Sequence, residues 1–281
     1  MLECNEVKIR RILNQTAIDL GEYVINPFMG CELACLYCYV RSNRVVSRKN
    51  KPWGTYVDVR MNAPELLEKE ILTRRPKTVL LGSTTECFQP LERQYHLSRR
   101  MLEILNKHKV FYTILTRSPQ ILENLNLLKE GFCKNIYFTV NNIPREFKLQ
   151  LEPKSPGFEL REAAVKTLLA EGIPVVPYFS PILPWVSDFT GIFSKFPEAE
   201  EIGFECLNFQ LANIDEIICR IGQIDTTIKG RYERMRKDRE FYTATWRTTE
   251  SVILDEAKRA KKRYTIFVHT FGDYFITSEF Q

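Results

Sequence analysis

Three cysteines, Cys31, Cys35 and Cys38, lie within one eight-residue stretch of the sequence with the spacing C-x3-C-x2-C. Three thiolates on so short a loop can ligate three irons of a cubane cluster, which leaves the fourth iron open to a ligand that is not protein. A structural zinc site usually has four protein ligands, and no second closely spaced pair of cysteine or histidine residues follows. Zinc, or three buried cysteines without a ligand, are the alternatives. The spacing favours a four-iron, four-sulfur cluster held by these three residues.

The composition is that of a globular chain with a substantial core. The sequence has 281 residues, of which 44% are hydrophobic and 27% charged, and its formal net charge is +5. No apolar run is long enough to cross a bilayer, and the first residues lack the apolar core of a signal peptide. We therefore expect a soluble cytoplasmic protein with no membrane partner, in which the clustered cysteines serve metal or redox chemistry rather than disulfides.

Short apolar runs alternate with helical patterns through the first two-thirds of the chain. The runs predict six strands, near residues 23–26, 78–82, 110–115, 135–139, 173–179 and 201–205. The helical patterns between them cover residues 62–73, 91–107, 118–129 and 157–171, and Ser118 with Pro119 is a predicted cap and first-turn proline for the third of these helices. This alternation predicts the α/β class, with a parallel sheet closed into a partial (β/α)6 TIM-like barrel. We predict a barrel core over residues 1–207 and a mainly helical C-terminal extension, residues 208–281, that closes the barrel.

The sequence around the cysteines resembles a known family. The C-x3-C-x-aromatic-C loop after the first strand is similar to the signature of the radical S-adenosylmethionine (SAM) superfamily. The residues that flank this loop, Asn26, Pro27, Phe28, Tyr39 and Arg41, resemble the branch grouped with spore photoproduct lyase. Further segments match that branch at residues 53–62, 81–92, 115–118, 151–153 and 172–175.

The resemblance implies a reaction and its cofactors. Enzymes of this kind carry a 4Fe-4S cluster whose open iron binds SAM, and a reductant such as ferredoxin or flavodoxin supplies an electron. SAM is then cleaved to a deoxyadenosyl radical that abstracts hydrogen from a substrate, and the protein orients the reactants. The sequence does not identify the substrate, although nucleic acid is one candidate.

The first group of implied SAM contacts lies in the cysteine loop and after the second strand. Tyr37 stands where the family's aromatic residue packs beside adenine, and ordinary loop packing is its alternative role. Ser83 and Thr84 match the position that meets the amino group of the methionine part of SAM. They could instead cap the following helix.

The second group of implied SAM contacts lies in two places: at the end of the third predicted strand, and from residue 152 into the helix predicted at residues 157–171. Thr116 and Arg117 end the third strand, and Arg117 replaces the lysine that usually contacts the SAM carboxylate in this branch. Glu152 and Arg161 resemble a Glu-Pro…Arg pair that helps to hold SAM. Surface electrostatics is the alternative explanation for Arg117 and for this pair.

One departure from the branch concerns the substrate. Spore photoproduct lyase has a hydrogen-donating cysteine at the position of Ser83, whereas the nearest cysteine here is Cys87. Cys87 is thus a weak candidate for a catalytic thiol, and a free buried cysteine is the commoner role. Thymine-dimer repair is therefore not predicted.

Two basic stretches, residues 231–239 and 258–263, could contact phosphates. Acidic residues interrupt the first stretch, so the second is the better candidate. The competing hypothesis for the whole chain is a non-catalytic iron–sulfur or zinc protein that binds nucleic acid through this basic C-terminal segment.

Overall fold

The computed structural model describes residues 2–43, 50–270 and 273–278. The strands in this part of the chain are β1 (Glu3–Val7), β2 (Asn14–Gln15), β3 (Tyr23–Ile25), β4 (Phe28–Gly30), β5 (Tyr56–Arg60), β6 (Thr78–Leu81), β7 (Phe111–Thr116), β8 (Cys133–Thr139), β9 (Val175–Ile182), β10 (Glu201–Cys206), β11 (Arg263–Thr270) and β12 (Asp273–Ser278). The α-helices are α1 (Ala63–Arg74), α2 (Glu92–Tyr95), α3 (Leu97–Lys107), α4 (Leu125–Leu128), α5 (Arg145–Leu151), α6 (Phe158–Ala170), α7 (Ile192–Lys195), α8 (Ile214–Gly222), α9 (Thr226–Lys237) and α10 (Arg239–Ala260).

The main sheet has nine strands in the order β12-β11-β10-β9-β8-β7-β6-β3-β2. The strands from β3 to β11 in this order are mutually parallel, and the short outer strands β2 and β12 are antiparallel to their neighbours. All six predicted strands are present in this parallel set. The predicted α/β class and the partial TIM-like barrel are confirmed.

Apolar side chains from the sheet and the crossover helices form one main core. Ile114 and Phe138 on neighbouring strands are fully buried, as are Met101 and Leu105 on α3, which packs against the sheet. This core fixes the relative position of the carboxyl ends of the strands, where a barrel of this type places its chemistry. Among the described residues, no helix is both long and apolar enough to cross a membrane.

The predicted helix at residues 91–107 is interrupted at His96. This residue has φ 51°, and it separates α2 from α3. The buried carboxylate of Glu92 accepts hydrogen bonds from the backbone N–H groups of Ser98 and Arg99 at 3.0 Å each. It thereby satisfies donors at the start of α3 that a continuous helix would have bonded internally.

The segment predicted as a helix at residues 118–129 begins as a 3-10 turn, Pro119–Asn124, and continues as α4. Ser118 accepts a hydrogen bond from the backbone N–H of Gln120, in agreement with its predicted role as a cap. Beyond residue 207, the chain forms α8, α9 and α10 and then returns to the sheet as β11, parallel to β10. The division of the chain at residue 207 stays a prediction.

Candidate functional site

A second, three-stranded sheet in the order β1-β5-β4 leads the chain into the cysteine loop. Strand β4 ends at Gly30, which has φ 96°. A Cβ atom at this position would lie 2.3 Å from the carbonyl oxygen of Tyr56, so a side chain cannot fit without a backbone shift. Cys31 follows at once, and the turn at Gly30 directs the loop away from β5.

Hydrogen bonds from the segment after β6 hold both sides of the first cysteine. Thr85 Oγ1 donates to the carbonyl oxygen of Gly30 at 2.6 Å. The backbone N–H of Glu32 donates to Gln89 Oε1 at 2.8 Å, and Gln89 is fully buried. The loop is therefore positioned by protein contacts around Cys31.

The three cysteines are free thiols, two of them buried and the third, Cys38, half-buried. Burial raises the pKa of Cys38 to about 12 and that of Cys31 further, and the neighbouring Cys35 adds to both shifts. The backbone N–H groups of Glu86 and Val40 act in the opposite direction and lower the pKa of Cys31 and Cys38 respectively.

The chemistry of this donor set fits an iron–sulfur cluster. Buried thiols ionise only when positive charge compensates them, and iron ions supply that charge. Backbone N–H groups close to the sulfurs are a common feature of cluster sites. Among the described residues, no group of three or more His, Cys, Asp or Glu side chains has a geometry that could hold a single metal ion.

Tyr37 and Arg117 connect the loop to the end of β7. Arg117 Nη1 donates to the hydroxyl of Tyr37 at 2.9 Å and to Cys35 Sγ at 3.4 Å. The Arg117 Cζ atom lies 5.7 Å from the centroid of the Tyr37 ring, within range of a cation–π contact. Since the Arg117 side chain is only 17% exposed, the alternative of a plain surface charge does not describe it.

Glu152 lies next to Tyr37 and Arg117, and the positive charges of two arginines surround its carboxylate. Its side chain and that of Arg161 are both 1% exposed and form an ion pair, while Arg117 Nη1 lies 3.8 Å from Glu152 Oε1. The hydroxyl of Tyr37 also donates to Glu152. Burial alone would raise the pKa of Glu152, but Arg161 and Arg117 lower it to about 2. The pair is therefore ionised and buried, and surface electrostatics does not explain it.

Asn141 joins this network but was not among the predicted site residues. Its Nδ2 donates to Glu152 Oε1 at 3.1 Å and to the Tyr37 hydroxyl at 3.2 Å. Asn141 also exchanges two hydrogen bonds of 2.8 Å with the backbone of Ser180 on β9. The available signal was its position just beyond the fourth predicted strand, at the edge where the other site residues lie. We call Tyr37, Arg117, Asn141, Glu152 and Arg161 the buried network.

Ser83 and Thr84, at the end of β6, make different contacts. The Ser83 hydroxyl accepts from Asn26 Nδ2 at 3.4 Å, and its carbonyl oxygen accepts from the hydroxyl of Tyr39. The Thr84 N–H donates to Asn26 Oδ1 at 3.0 Å. These bonds connect Ser83 and Thr84 to Asn26 and Tyr39, which flank the cysteine loop on its two sides. Neither Ser83 nor Thr84 caps α2.

Thr116 and Cys87 are both buried in the protein interior. Thr116 Oγ1 donates to Glu86 Oε1 at 2.7 Å, and the other oxygen of Glu86 accepts from the Arg117 N–H at 2.8 Å. Thr116 thus orients the carboxylate that holds the backbone of Arg117. Cys87 is fully buried, and burial raises its pKa well above the ordinary range, which favours the thiol over the reactive thiolate. Its position gives no support to a catalytic role.

The comparison with known families agrees with this geometry. The family model of the radical SAM superfamily matches residues 25–189, which cover more than half of the chain. The chain therefore belongs to the radical SAM superfamily, as its cysteine loop predicted. Members of this superfamily use a 4Fe-4S cluster and SAM, so the predicted cofactors are confirmed at the level of the family.

The relatives similar in sequence are uncharacterized proteins. One from Methanocaldococcus jannaschii is 30% identical over 257 residues, which cover 82% of this chain and 97% of the relative. Another, from Acidianus two-tailed virus, is 28% identical over 171 residues, 58% of this chain and 56% of that protein.

Spore photoproduct lyase is similar in structure. The complex with a dinucleoside spore photoproduct has a TM-score of 0.59 at 18% identity over 79% of this chain and 66% of that one. A mutant of the same enzyme has a TM-score of 0.59 at 19% identity over 77% of this chain and 65% of that one. This chain thus spans about two-thirds of the length of the lyase. At such identities the likeness supports the fold alone.

Proposed function

We propose that this chain is a radical SAM enzyme whose 4Fe-4S cluster is held by Cys31, Cys35 and Cys38. When bound, the cluster and SAM supply a deoxyadenosyl radical that abstracts a hydrogen atom from a substrate. The observation that carries this proposal is the contact between the thiol loop and the buried network, made where Arg117 meets both Cys35 and Tyr37.

Arg117 is the proposed partner of the SAM carboxylate. Its guanidinium has five donors, and the contacts described above involve Nη1. The planar fork suits a carboxylate better than a lysine ammonium does. Glu152 and the Tyr37 hydroxyl fix the guanidinium, so that little side-chain freedom is lost when SAM binds.

Tyr37 is the proposed platform for adenine. Its hydroxyl is hydrogen bonded to Glu152, Arg117 and Asn141, which fixes the ring within the cysteine loop. We assign Glu152 and Arg161 an indirect role, since each acts on SAM through the residues that Glu152 orients. Ser83 and Thr84 are the proposed partners of the amino group, and Thr116 acts through Glu86 on the backbone of Arg117.

The basic segment at residues 258–263 is poorly placed to bring nucleic acid to this site. It joins the end of α10 to the start of β11, and Lys262 donates to the carbonyl oxygens of Pro197 and Ala199. The site lies at the carboxyl ends of the parallel strands, and the eight residues of β11 separate the two ends by about 25 Å. The hypothesis of a nucleic-acid-binding protein without catalysis gains no support from this arrangement.

Replacement of one thiol tests the proposal. Anaerobically reconstituted wild-type protein should contain about four irons and, with dithionite and SAM, should release deoxyadenosine. Cys35→Ala should lose most of the iron and at least 1,000-fold of the deoxyadenosine release, on the order expected when a cofactor ligand is removed. Iron analysis and chromatography of the products provide the two measurements.

Cys219→Ala is the matched control, because Cys219 is exposed and lies outside the loop. It should retain both properties. Full iron content and deoxyadenosine release in Cys35→Ala would disprove the proposal, as would the absence of deoxyadenosine from iron-loaded wild-type protein.

A further inference from the structure

A cluster of polar side chains lies on β9, β10 and β11, next to the buried network. Ser180 Oγ donates to Glu205 Oε2 at 2.5 Å, and His269 Nε2 lies 3.1 Å from Glu205 Oε1. Each residue is near the carboxyl end of its strand, at the edge that carries the cysteine loop. We call these three residues, together with Tyr178 and Glu201, the acidic wall.

The ring of Tyr178 is part of this wall because of a glycine opposite it. Gly203 is paired with Tyr178 across β9 and β10, and a Cβ atom at Gly203 would lie 2.2 Å from Tyr178 Cδ2. The Tyr178 ring therefore lies across β10. Glu201 and Glu205 are on the same face of β10 as Gly203, because alternate residues of a strand share a face. An aromatic ring thus lies across this strand between two carboxylate positions.

Hydroxyl and imidazole groups are the partners that the structure gives to the two carboxylates of the wall. Within residues 2–43, 50–270 and 273–278, no Lys or Arg forms an ion pair with Glu201 or Glu205. Thr265 Oγ1 donates to Glu201 at 2.9 Å, and His269 is the ionisable partner of Glu205. The Glu205 side chain is 33% exposed, so a ligand can reach it.

This arrangement contrasts with the charge of the whole chain, which is +5. A carboxylate beside an aromatic ring is a favourable environment for a cation, through charge-assisted hydrogen bonds and cation–π attraction. Each carboxylate oxygen can accept two hydrogen bonds, so the bonds from Ser180 and His269 leave Glu205 further capacity. An anionic group such as a phosphate would be repelled at the same place.

The wall is also coupled to the proposed SAM site. Asn141, which holds Tyr37 and Glu152, exchanges two hydrogen bonds with the backbone of Ser180. A ligand on the wall would therefore lie beside the buried network.

We propose that the acidic wall binds a protonated nitrogen group of the substrate, an ammonium or a guanidinium, between the Glu205 carboxylate and the Tyr178 ring. Its role as a substrate site rests on the proposed function, whereas cation binding can be measured without turnover. An ammonium and a guanidinium share the same recognition chemistry, which is a positively charged nitrogen group with several N–H donors. A substrate of this kind would have a basic side chain or amine rather than a phosphate backbone at the hydrogen-donating end.

Ligand-observed NMR titration of the reconstituted protein tests this proposal with three small probes. Butylguanidinium and butylammonium represent the two cationic groups, and butylurea has nearly the shape of the guanidinium without its charge. At least one cation should bind wild-type protein about ten-fold more tightly than butylurea, since hydrogen bonds to a charged group are the stronger ones. The better of the two cations identifies the group. Equal binding of all three probes would overturn the proposal without the need for any variant.

Two variants locate the binding. Glu205→Gln keeps the shape of the side chain and should weaken binding of the preferred cation about ten-fold. Glu200→Gln is the matched control, because its carboxylate is 86% exposed and pairs with Arg263 at the other end of β11, and it should leave the affinity unchanged. Unchanged affinity in Glu205→Gln, or an equal loss in both variants, would contradict the proposal. Should Glu205→Gln not fold, Tyr178→Leu tests the ring face in the same way.

Deoxyadenosine release from the same preparation separates the two proposals. Release without cation selectivity would reject the acidic wall alone. Selective cation binding without release would reject the proposed enzyme and keep the cation site. A short single-stranded oligonucleotide that displaces the cation and binds Glu205→Gln more tightly than wild type would show that the occupant of the wall is an anion, against the proposal.

Discussion

The buried network and the acidic wall both contain carboxylates, but these carboxylates differ in their burial and in the group that is paired with them. In the network, Glu152 and Arg161 are each 1% exposed and neutralise one another. On the wall, Glu205 is 33% exposed, and its ionisable partner is a histidine rather than an arginine. A buried carboxylate must be compensated inside the protein, whereas a partly exposed one can keep its charge for a ligand. In our proposals, the buried side of this contrast would hold the cofactor and the more exposed side would bind the substrate.

The largest effect on stability should come from removing the charge of Glu152. Glu152→Gln would leave the buried guanidinium of Arg161 without its counterion, and the expected loss is about 3–5 kcal/mol in the free energy of unfolding. Urea denaturation followed by circular dichroism measures this loss. A second change, Arg161→Met, should restore part of the stability, because it removes the uncompensated charge.

An exposed ion pair is the control for this comparison. Glu171→Gln breaks the pair with Lys129, whose side chains are 39% and 45% exposed, and should cost less than about 1 kcal/mol. Equal losses in the two single variants would show that the buried network contributes no more than a surface pair.

Acid should weaken the buried network, because the pKa of Glu152 is lowered in the folded protein. The pKa of Glu152 is about 2 in the folded protein and 4.5 without its partners, which corresponds to roughly 3 kcal/mol. Because the folded pKa is the lower one, this stability is fully present above pH 4.5 and is lost as the pH falls toward 2. The difference between the unfolding free energies of wild type and Glu152→Gln should therefore shrink between pH 5 and pH 3. A constant difference would contradict the assignment of Glu152 as ionised.

Ser180→Ala should have the smallest effect, on the wall side of the comparison. It removes one hydrogen bond to a partly exposed carboxylate, and we expect a loss of about 1 kcal/mol or less in the free energy of unfolding. Thermal unfolding can detect such a change. A loss as large as that of Glu152→Gln would mean that the wall is structural, and the contrast between the two regions would fail.

The sequence predicted the features that depend on neighbouring residues. Apolar runs of strand length separated by helical patterns identified six of the seven parallel strands that the structure describes in the main sheet, all but β11. The cysteine spacing located the proposed cluster loop, and Ser118 indicated the start of a helical segment. These signals are local, since each is carried by fewer than about twenty consecutive residues.

Contacts between distant segments could not be predicted in the same way. The small sheet brings β1 beside β5, although more than forty residues separate them. Asn141 became a site residue only when α5 and β9 packed around it, and His269 reached Glu205 only because β11 returned to the sheet. His96 interrupts a regular helical pattern because Glu92 competes for the backbone donors beyond it. Pairing of this kind depends on tertiary structure.

The contacts around Leu36, in the middle of the cysteine loop, show which parts of the chain hold this loop in place. The Leu36 N–H donates to the carbonyl oxygen of Leu151, and its own carbonyl oxygen accepts from Asn213 Nδ2 at 2.7 Å and from Arg41. The loop is thus tied to α5 and to the start of α8, two segments that lie more than a hundred residues further along the chain. The fold of the whole domain therefore shares with any bound metal the entropic cost of ordering this loop.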